Sequence, residues 1–278
     1  MLVNDPRDKW FFLHQLLEYE RGQKRGKGFD KELEQDVMMP VFQLSEKVVF
    51  PPVGLAQPDG LLAVGGDLSS HRLITAYSMG IFPWYTEGEP ILWWSPAPRL
   101  VLFPDEFHLP RRLARTIRQQ KFQVTADRAF RDVISQCGAI RTTKGLPTWI
   151  TADMKAAYVD LFQRGYAHSV ECWDGDVLVG GLYGVCLDRM FFGESMFAWR
   201  RDASKIAFAA LIGLVRHYGI ELIDCQMTTE HLLRFGAREL SREDFQRELI
   251  RTIEVITPQP LWQLRGIWAE QGRVIVRV

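Results

Sequence analysis

The chain has 278 residues, 47% of them hydrophobic and 24% charged, with 34 Lys and Arg against 34 Asp and Glu. This length fits one large domain or two ordinary ones. The apolar content supplies a full core, which excludes whole-chain disorder, a collagen-like chain and a disulfide scaffold. With zero formal net charge, any nucleic-acid contact has to come from a local patch.

The opening MLVNDPRDKW lacks the basic-then-apolar layout of a signal peptide. The longest apolar run, residues 206–215, is too short to cross about 30 Å of hydrocarbon, so no membrane partner is expected. Residues 10–36 alternate apolar clusters and charges around RGQKRGKG, which predicts a helix, a basic turn and a short second helical segment. Neighbouring acids neutralise that turn and favour a solvated face. Pro40, Pro51, Pro52 and Pro58 predict extended or looping chain. Asp67-Leu68-Ser69-Ser70 ahead of Leu73, Ile74 and Tyr77 predicts a capped helix that ends at Gly80. Between Ile81 and Arg99 stand five aromatics and four prolines, a composition for rigid packed loops and short strands.

Residues 108–122 predict a helix with Pro110 in its first turn and an apolar stripe of Leu109, Leu113 and Ile117. Arg111, Arg115 and Arg118, spaced by four and three, share one of its faces. Residues 99–144 hold ten basic and four acidic side chains, which suits either phosphate contact or an ordinary solvated face. Further on, the pattern predicts a helix over 152–164 and strands over 168–173, 177–187 and 190–197. A helix over 203–218, a strand over 221–227, a short helix over 230–235 and an amphipathic segment over 242–252 complete it. Antiparallel hairpins followed by a strand–helix–strand crossover make an α+β fold, a mixed sheet with helices packed on it. The tail beyond Pro258 shows no clear pattern.

The four cysteines, Cys137, Cys172, Cys186 and Cys225, form no CxxC pair, and the six histidines form no HxxxH or HExxH pair. No metal site or cofactor is therefore signalled, and buried thiols are expected. The strongest local anomaly is Glu221-Leu222-Ile223-Asp224-Cys225-Gln226. Asp224 and Gln226 stand two residues apart on a strand and are expected to point the same way. A buried unpaired polar group costs about 1–3 kcal/mol, so the pair either satisfies a neighbouring loop or faces a pocket. In Gly193-Glu194-Ser195-Met196-Phe197, Glu194 and Met196 are expected on one face and Ser195 on the other. A serine nucleophile is disfavoured because G-x-S-x-G is missing. Gly180-Gly181 marks either a bulge or a place where a ligand or another backbone comes close. Trp84, Trp93, Trp94, Trp149 and Tyr158 could be core or could stack on a base.

Several longer motifs occur in order: GLLAVGGDLS from Gly60, GIFPW from Gly80, ILWWSP from Ile91, GGLYGV from Gly180, FGESMF from Phe192 and LIDCQ from Leu222. In these the chain resembles the bacterial leucyl/phenylalanyl-tRNA–protein transferases from about Phe50 to Glu254. The resemblance implies a cytoplasmic enzyme that moves Leu or Phe from Leu-tRNA or Phe-tRNA onto proteins beginning with Arg or Lys, tagging them for the N-degron route. It implies no cofactor, no metal and no DNA partner. It also implies a small N-terminal domain, 37–100, and an acyltransferase-like domain, 101–257, between an N-terminal extension, 1–36, and a divergent tail, 258–278. By the same resemblance Asp224 and Gln226 are catalytic. Leu182, Phe191, Glu194, Met196 and Ile223 receive the apolar amino acid. Trp84, Trp149 and Tyr158 surround the terminal adenosine, and Arg111, Arg115 and Arg118 carry the acceptor end of the tRNA. One basic position of the family is Gln119 here.

Two rivals remain at this point. One is an acetyl-CoA-dependent N-acetyltransferase, disfavoured because Trp199-Arg200-Arg201-Asp202-Ala203-Ser204-Lys205 supplies no glycine for a pyrophosphate turn. The other is a tRNA-binding protein without catalysis.

Overall fold

The computed structural model describes residues 41–278. The helical segments and basic turn predicted over 10–36, and the N-terminal extension as a whole, lie outside the described residues.

The chain first builds a small sheet from β1 (Phe42–Leu44) and β2 (Leu61–Gly65), the helix α1 (Ser70–Ser78), β3 (Phe82–Pro83) and β4 (Leu92–Trp94). Its strand order is β1-β2-β4-β3. The side chain of Ser69 caps α1 by accepting from the Arg72 amide, and Gly80 ends the segment with φ of +75°. The Trp93 indole N–H finds the Gly65 carbonyl at 2.8 Å, so a wholly buried tryptophan has its polar atom satisfied.

The remainder forms β5 (Arg99–Leu102), α2 (Arg111–Arg118), β6 (Gln123–Ala126), α3 (Phe130–Thr142), α4 (Ala152–Gln163), β7 (Ala167–Asp174), β8 (Val177–Leu187) and β9 (Met190–Ala198). After these come α5 (Ala203–His217), β10 (Leu222–Gln226), α6 (Glu230–Leu233), β11 (Arg238–Leu240), α7 (Arg242–Thr252), β12 (Gly266–Glu270) and β13 (Arg273–Arg277). Seven strands make one sheet in the order β11-β5-β10-β9-β8-β7-β6. Among the described residues its one parallel pair, β9 with β10, is joined by α5, which is the crossover predicted from the pattern.

Period-two alternation assigns each face of this sheet to its own apolar cluster. Val185, Phe192, Leu222 and Val101 pack with α1, α3, α4, α7 and the small sheet. Their chain neighbours Cys186, Phe191, Ile223 and Leu100 pack with α2, α5 and the C-terminal hairpin. Helix α5 is apolar all round because it lies between the sheet and β12–β13. A Cβ on Gly213 would fall 2.2 Å from Val276 Cγ1. The tail that the sequence left without a pattern is therefore a hairpin lying over α5.

The basic helix is shorter than the predicted 108–122. Pro110 is its N-cap residue with extended backbone, and Gln120 turns left-handed at φ of 51°. Leu109, Leu113 and Ile117 are all buried, as their spacing predicts.

Candidate active site

Strand β10 brings Asp224 against Arg99 of β5. Arg99 Nε and Nη2 donate to Asp224 Oδ1 and Oδ2 at 2.8 and 2.7 Å, and both side chains are almost wholly buried. Such a fork-to-carboxylate pair in a dry setting has its two charges held by geometry and by mutual compensation. The guanidinium also lies 4.8 Å from the ring centroids of Phe82 and Phe245.

Asp224 Oδ1 takes a further bond from the Gln226 backbone N–H, at 2.8 Å. The register of β10 on β5 shifts between these residues, and Gln226 sits at φ of 61°. The irregularity turns the Gln226 side chain toward β9, where its Nε2 donates to Glu194 Oε1 at 2.9 Å. Glu194 is the extra residue of a bulge: Tyr183 pairs with Ser195 and Gly184 with Gly193, leaving Glu194 unmatched.

That bulge corrects the expected alternation on β9. Glu194 hydrogen-bonds to side chains on the α1 and α4 face, whereas Met196 packs on the α5 face. Ser195 interacts with the Cys137 thiol, whose pKa burial pushes up to about 12, and it has no histidine or carboxylate partner among the described residues.

Tyr77 donates to Glu194 Oε1 at 2.7 Å and Tyr158 to Oε2 at 2.9 Å, and the two phenols also touch each other. Three close oxygen contacts form a triangle that needs three hydrogens. The phenols supply two, and the third is present only when Glu194 is protonated. Burial, aided by repulsion from Asp224, pushes the Glu194 carboxyl up to about 7, against the opposing hydrogen bonds from Tyr77, Tyr158 and Gln226.

The structure divides the residues expected to surround the substrate. Leu182 and Met196 are cross-strand partners, as are Phe191 and Ile223, and all four belong to the apolar cluster on the α5 face. Glu194, Tyr158, Asp224 and Gln226 meet on the opposite face. Trp84 and Trp149 come together edge-on, 6.4 Å between ring centroids, with Trp84 exposed and the Arg141 guanidinium 4.5 Å from Trp149. Tyr158 does not join them: it is fully buried, and its hydroxyl is on Glu194. Asp224 is likewise closed off from solvent, with both oxygens occupied by the Arg99 guanidinium and the Gln226 amide, so of the two alternatives for this pair it satisfies neighbouring protein groups. Arg111, Arg115 and Arg118 are exposed on α2, which packs on the face away from Asp224.

Gly180 and Gly181 make room for neighbouring protein. A Cβ on Gly180 would lie 2.6 Å from Ala203 Cβ at the start of α5, and one on Gly181 would lie 2.8 Å from the Val170 carbonyl.

Sequence reasoning missed Arg99 and Tyr77. Their partners lie 125 and 117 residues away in the chain, so no local spacing reveals them. The only available signal was a cation ending an aromatic and proline-rich run and a hydroxyl on an otherwise apolar helix stripe.

A buried carboxyl raised toward neutral pH and an amide fixed by it form a site suited to positioning and proton handling. The model of the leucyl/phenylalanyl-tRNA protein transferase family matches residues 101–250, and that of its N-terminal domain matches residues 66–97. The chain is 55% identical over 228 residues to the leucyl/phenylalanyl-tRNA–protein transferase of Desulfatibacillum aliphaticivorans, covering 82% of this chain and 98% of that protein. It is 54% identical to the enzyme of the same name from Anaeromyxobacter dehalogenans strain 2CP-C, with the same coverage. It is 52% identical over 231 residues to the Magnetococcus marinus enzyme of that name, covering 81% of this chain and 97% of that protein. These matches define an aminoacyltransferase. The chain belongs to the leucyl/phenylalanyl-tRNA–protein transferase family.

Proposed function

We propose that this protein transfers leucine or phenylalanine from charged tRNA to the α-amine of proteins that begin with Arg or Lys, acting in the cytoplasm to mark them for the N-degron route. The observation that carries the reading is the chain of contacts Arg99–Asp224–Gln226–Glu194, which fixes one amide at the carboxyl end of the parallel pair β9 and β10.

With its Nε2 held by Glu194, the Gln226 carbonyl oxygen is left as an acceptor. It takes an N–H of the incoming α-amine and directs the nitrogen lone pair at the ester carbonyl. The new C–N bond forms and the ester C–O bond breaks. The proton shed by the amine passes to the departing 3′ oxygen of the terminal adenosine. The aminoacyl ester is already activated, so the rate comes mainly from orientation. The amine has a reference pKa near 8, which leaves a usable neutral fraction. Asp224 acts in this reading as a positioning residue, through the Gln226 backbone.

The leucyl or phenylalanyl side chain passes the sheet at the β9 bulge and gains burial beside Met196, the partly exposed member of the α5-face cluster that includes Leu182, Phe191 and Ile223, while a charged side chain loses hydration with no partner. Since one methylene discriminates by only about 1–3 kcal/mol, Met-tRNA is a poorer donor and is not rejected outright. Glu194, when ionised, favours a basic acceptor. Trp84 and Trp149 offer an edge-on pair beside which adenine stacks.

The test offers Phe-tRNA and Leu-tRNA to peptides beginning with Arg, Lys or Ala and reads aminoacyl transfer to the peptide. Transfer to the Arg and Lys peptides but not to the Ala peptide is expected. Absence of transfer from either donor ends the reading.

A further inference from the structure

Between α7 and the β12–β13 hairpin the tail is pinned at three places. The backbone N–H groups of Gln259, Trp262 and Gln263 donate to the Gly165 carbonyl at 2.8 Å, to Asp127 Oδ2 at 2.6 Å and to the Tyr218 hydroxyl at 3.2 Å. Asp127 stands at a left-handed φ of 54°, and its other oxygen takes the Ser169 N–H at 2.8 Å.

Those anchors fix one large side chain. The Trp262 indole is almost wholly buried and stacks on the His168 imidazole, 4.2 Å between centroids and 4° between planes. Tyr218 lies nearly parallel to it at 5.4 Å, and its ring N–H reaches Gln259 Oε1 at 3.2 Å. His168 Nδ1 lies 2.7 Å from Asp127 Oδ2, so the acid that holds the tail also orients the ring on which the indole rests. A side chain packed and bonded in this way has one place to be.

The remaining ring against Trp262 is Phe191, 5.7 Å away and tilted by 33°. Phe191 belongs to the apolar set expected to receive the amino acid. Its ring lies across β8 where Gly184 leaves room, since a Cβ on Gly184 would fall 2.5 Å from Phe191 Cζ. Gly184 and Leu182 are two residues apart on β8 and share a face, and Leu182 pairs with the partly exposed Met196. An apolar row therefore leads from Met196 through Leu182 to Phe191. Gly184 pairs on its other side with His168 of β7, which carries the Trp262 indole. Trp262 thus closes the β7 side of Phe191.

An aminoacyl side chain that enters the row at Met196 extends as far as Phe191 allows. One methylene of room in an apolar site discriminates donors by about 10–200-fold. We propose that Trp262 is a positioning residue for donor selectivity, which holds the Phe191 ring in place and so limits the size of the side chain that the row accepts, a role that rests on the reading of the donor as Leu-tRNA or Phe-tRNA. General loosening of the core weakens all donors alike. Only a change in the room around Phe191 alters their ratio.

The test uses the full chain and two stable donor analogues, 3′-deoxyadenosine carrying leucine or phenylalanine through a 3′ amide, with affinities read by titration calorimetry. In parallel, kcat/KM is measured for Leu-tRNA, Phe-tRNA and the oversize donor Trp-tRNA on a peptide beginning with Arg. Wild type is compared with W262L, W262F and I267A. Ile267 is buried in the same tail, where its carbonyl takes the Gln120 amide beside α2. W262L should raise the phenylalanyl-to-leucyl ratio roughly tenfold in both measurements and make Trp-tRNA a measurable donor. W262F should move the ratio the same way by about threefold. I267A should unfold more easily and keep the wild-type ratio.

A ratio that stays or falls in both Trp262 variants would overturn the proposal. An equal shift in I267A would also overturn it, by making the effect one of loosening. If W262L does not fold, W262F decides by the same ratio. Wild type that binds neither analogue would overturn it as well. Binding of both with the expected variant pattern, but no transfer, would sink the proposed activity and leave the role of Trp262 standing.

Discussion

Arg99 and Asp224, 125 residues apart in the chain, meet through two hydrogen bonds of 2.8 and 2.7 Å with almost no solvent access to either. This pair joins β5, one strand in from the edge of the large sheet, to the strand that holds Gln226, and the Phe82 and Phe245 rings flank its guanidinium. Removing one partner leaves an uncompensated buried charge. Arg99→Met should destabilise the protein by about 3–5 kcal/mol, read from denaturant unfolding. Arg99→Lys keeps the charge but loses the fork, so it should fall between the two. Equal stability of Arg99→Met and wild type would mean that the pair does not form.

Glu194 gives a signed pH prediction. Its folded pKa of about 7 stands above the ordinary value of 4.5. The native state therefore binds the proton more tightly than the unfolded chain does. The resulting stabilisation is fully present below about pH 4.5 and is lost as the pH rises through about 7. Glu194→Gln should flatten the fall in stability across that window, measured by thermal unfolding at successive pH values. An unchanged slope in the variant would place the titration elsewhere.

The two tyrosines tune that carboxyl. Hydrogen bonds from Tyr77 and Tyr158 favour the ionised form. Tyr77→Phe or Tyr158→Phe should therefore move the Glu194 midpoint further upward and cost roughly 1–3 kcal/mol for removing a hydrogen bond to a charged group. Following the carboxyl by NMR titration checks the direction, and a downward move contradicts the assigned donors.

Gly180 is a packing position. In Gly180→Ala the new Cβ would lie 2.6 Å from Ala203 Cβ and 2.9 Å from its backbone carbonyl carbon. Overpacking of this kind costs about 1–3 kcal/mol, and the variant should lose that much in chemical denaturation. If the glycine served a ligand alone, stability would not change and only KM would rise.

Trp84 and Trp149 carry a prediction about the donor. Replacing either by alanine should weaken Phe-tRNA binding by about 1–3 kcal/mol if adenine stacks there. The matching substitution of exposed Trp268, on the hairpin that packs against α2, should not alter it. Equal effects at all three positions would remove the stacking role.

Local patterns along the chain were enough to place the elements in order. Helix and strand periods, the Ser69 cap and the glycine stops located α1, α5 and the β7–β8–β9 hairpins to within a few residues, because these signals are local. They also showed that Asp224, Gln226 and Glu194 are polar residues set in apolar strands. What those residues do to one another depends on how the folded strands and helices meet. The bulge at Glu194 and the left-handed Gln226 break strict alternation, so side chains that the pattern put together are turned to opposite faces, and others meet. Arg99, Tyr77 and Trp262 reach the site or its apolar wall through contacts between distant segments. Packing of whole layers fixes such contacts, and no spacing along the chain encodes them.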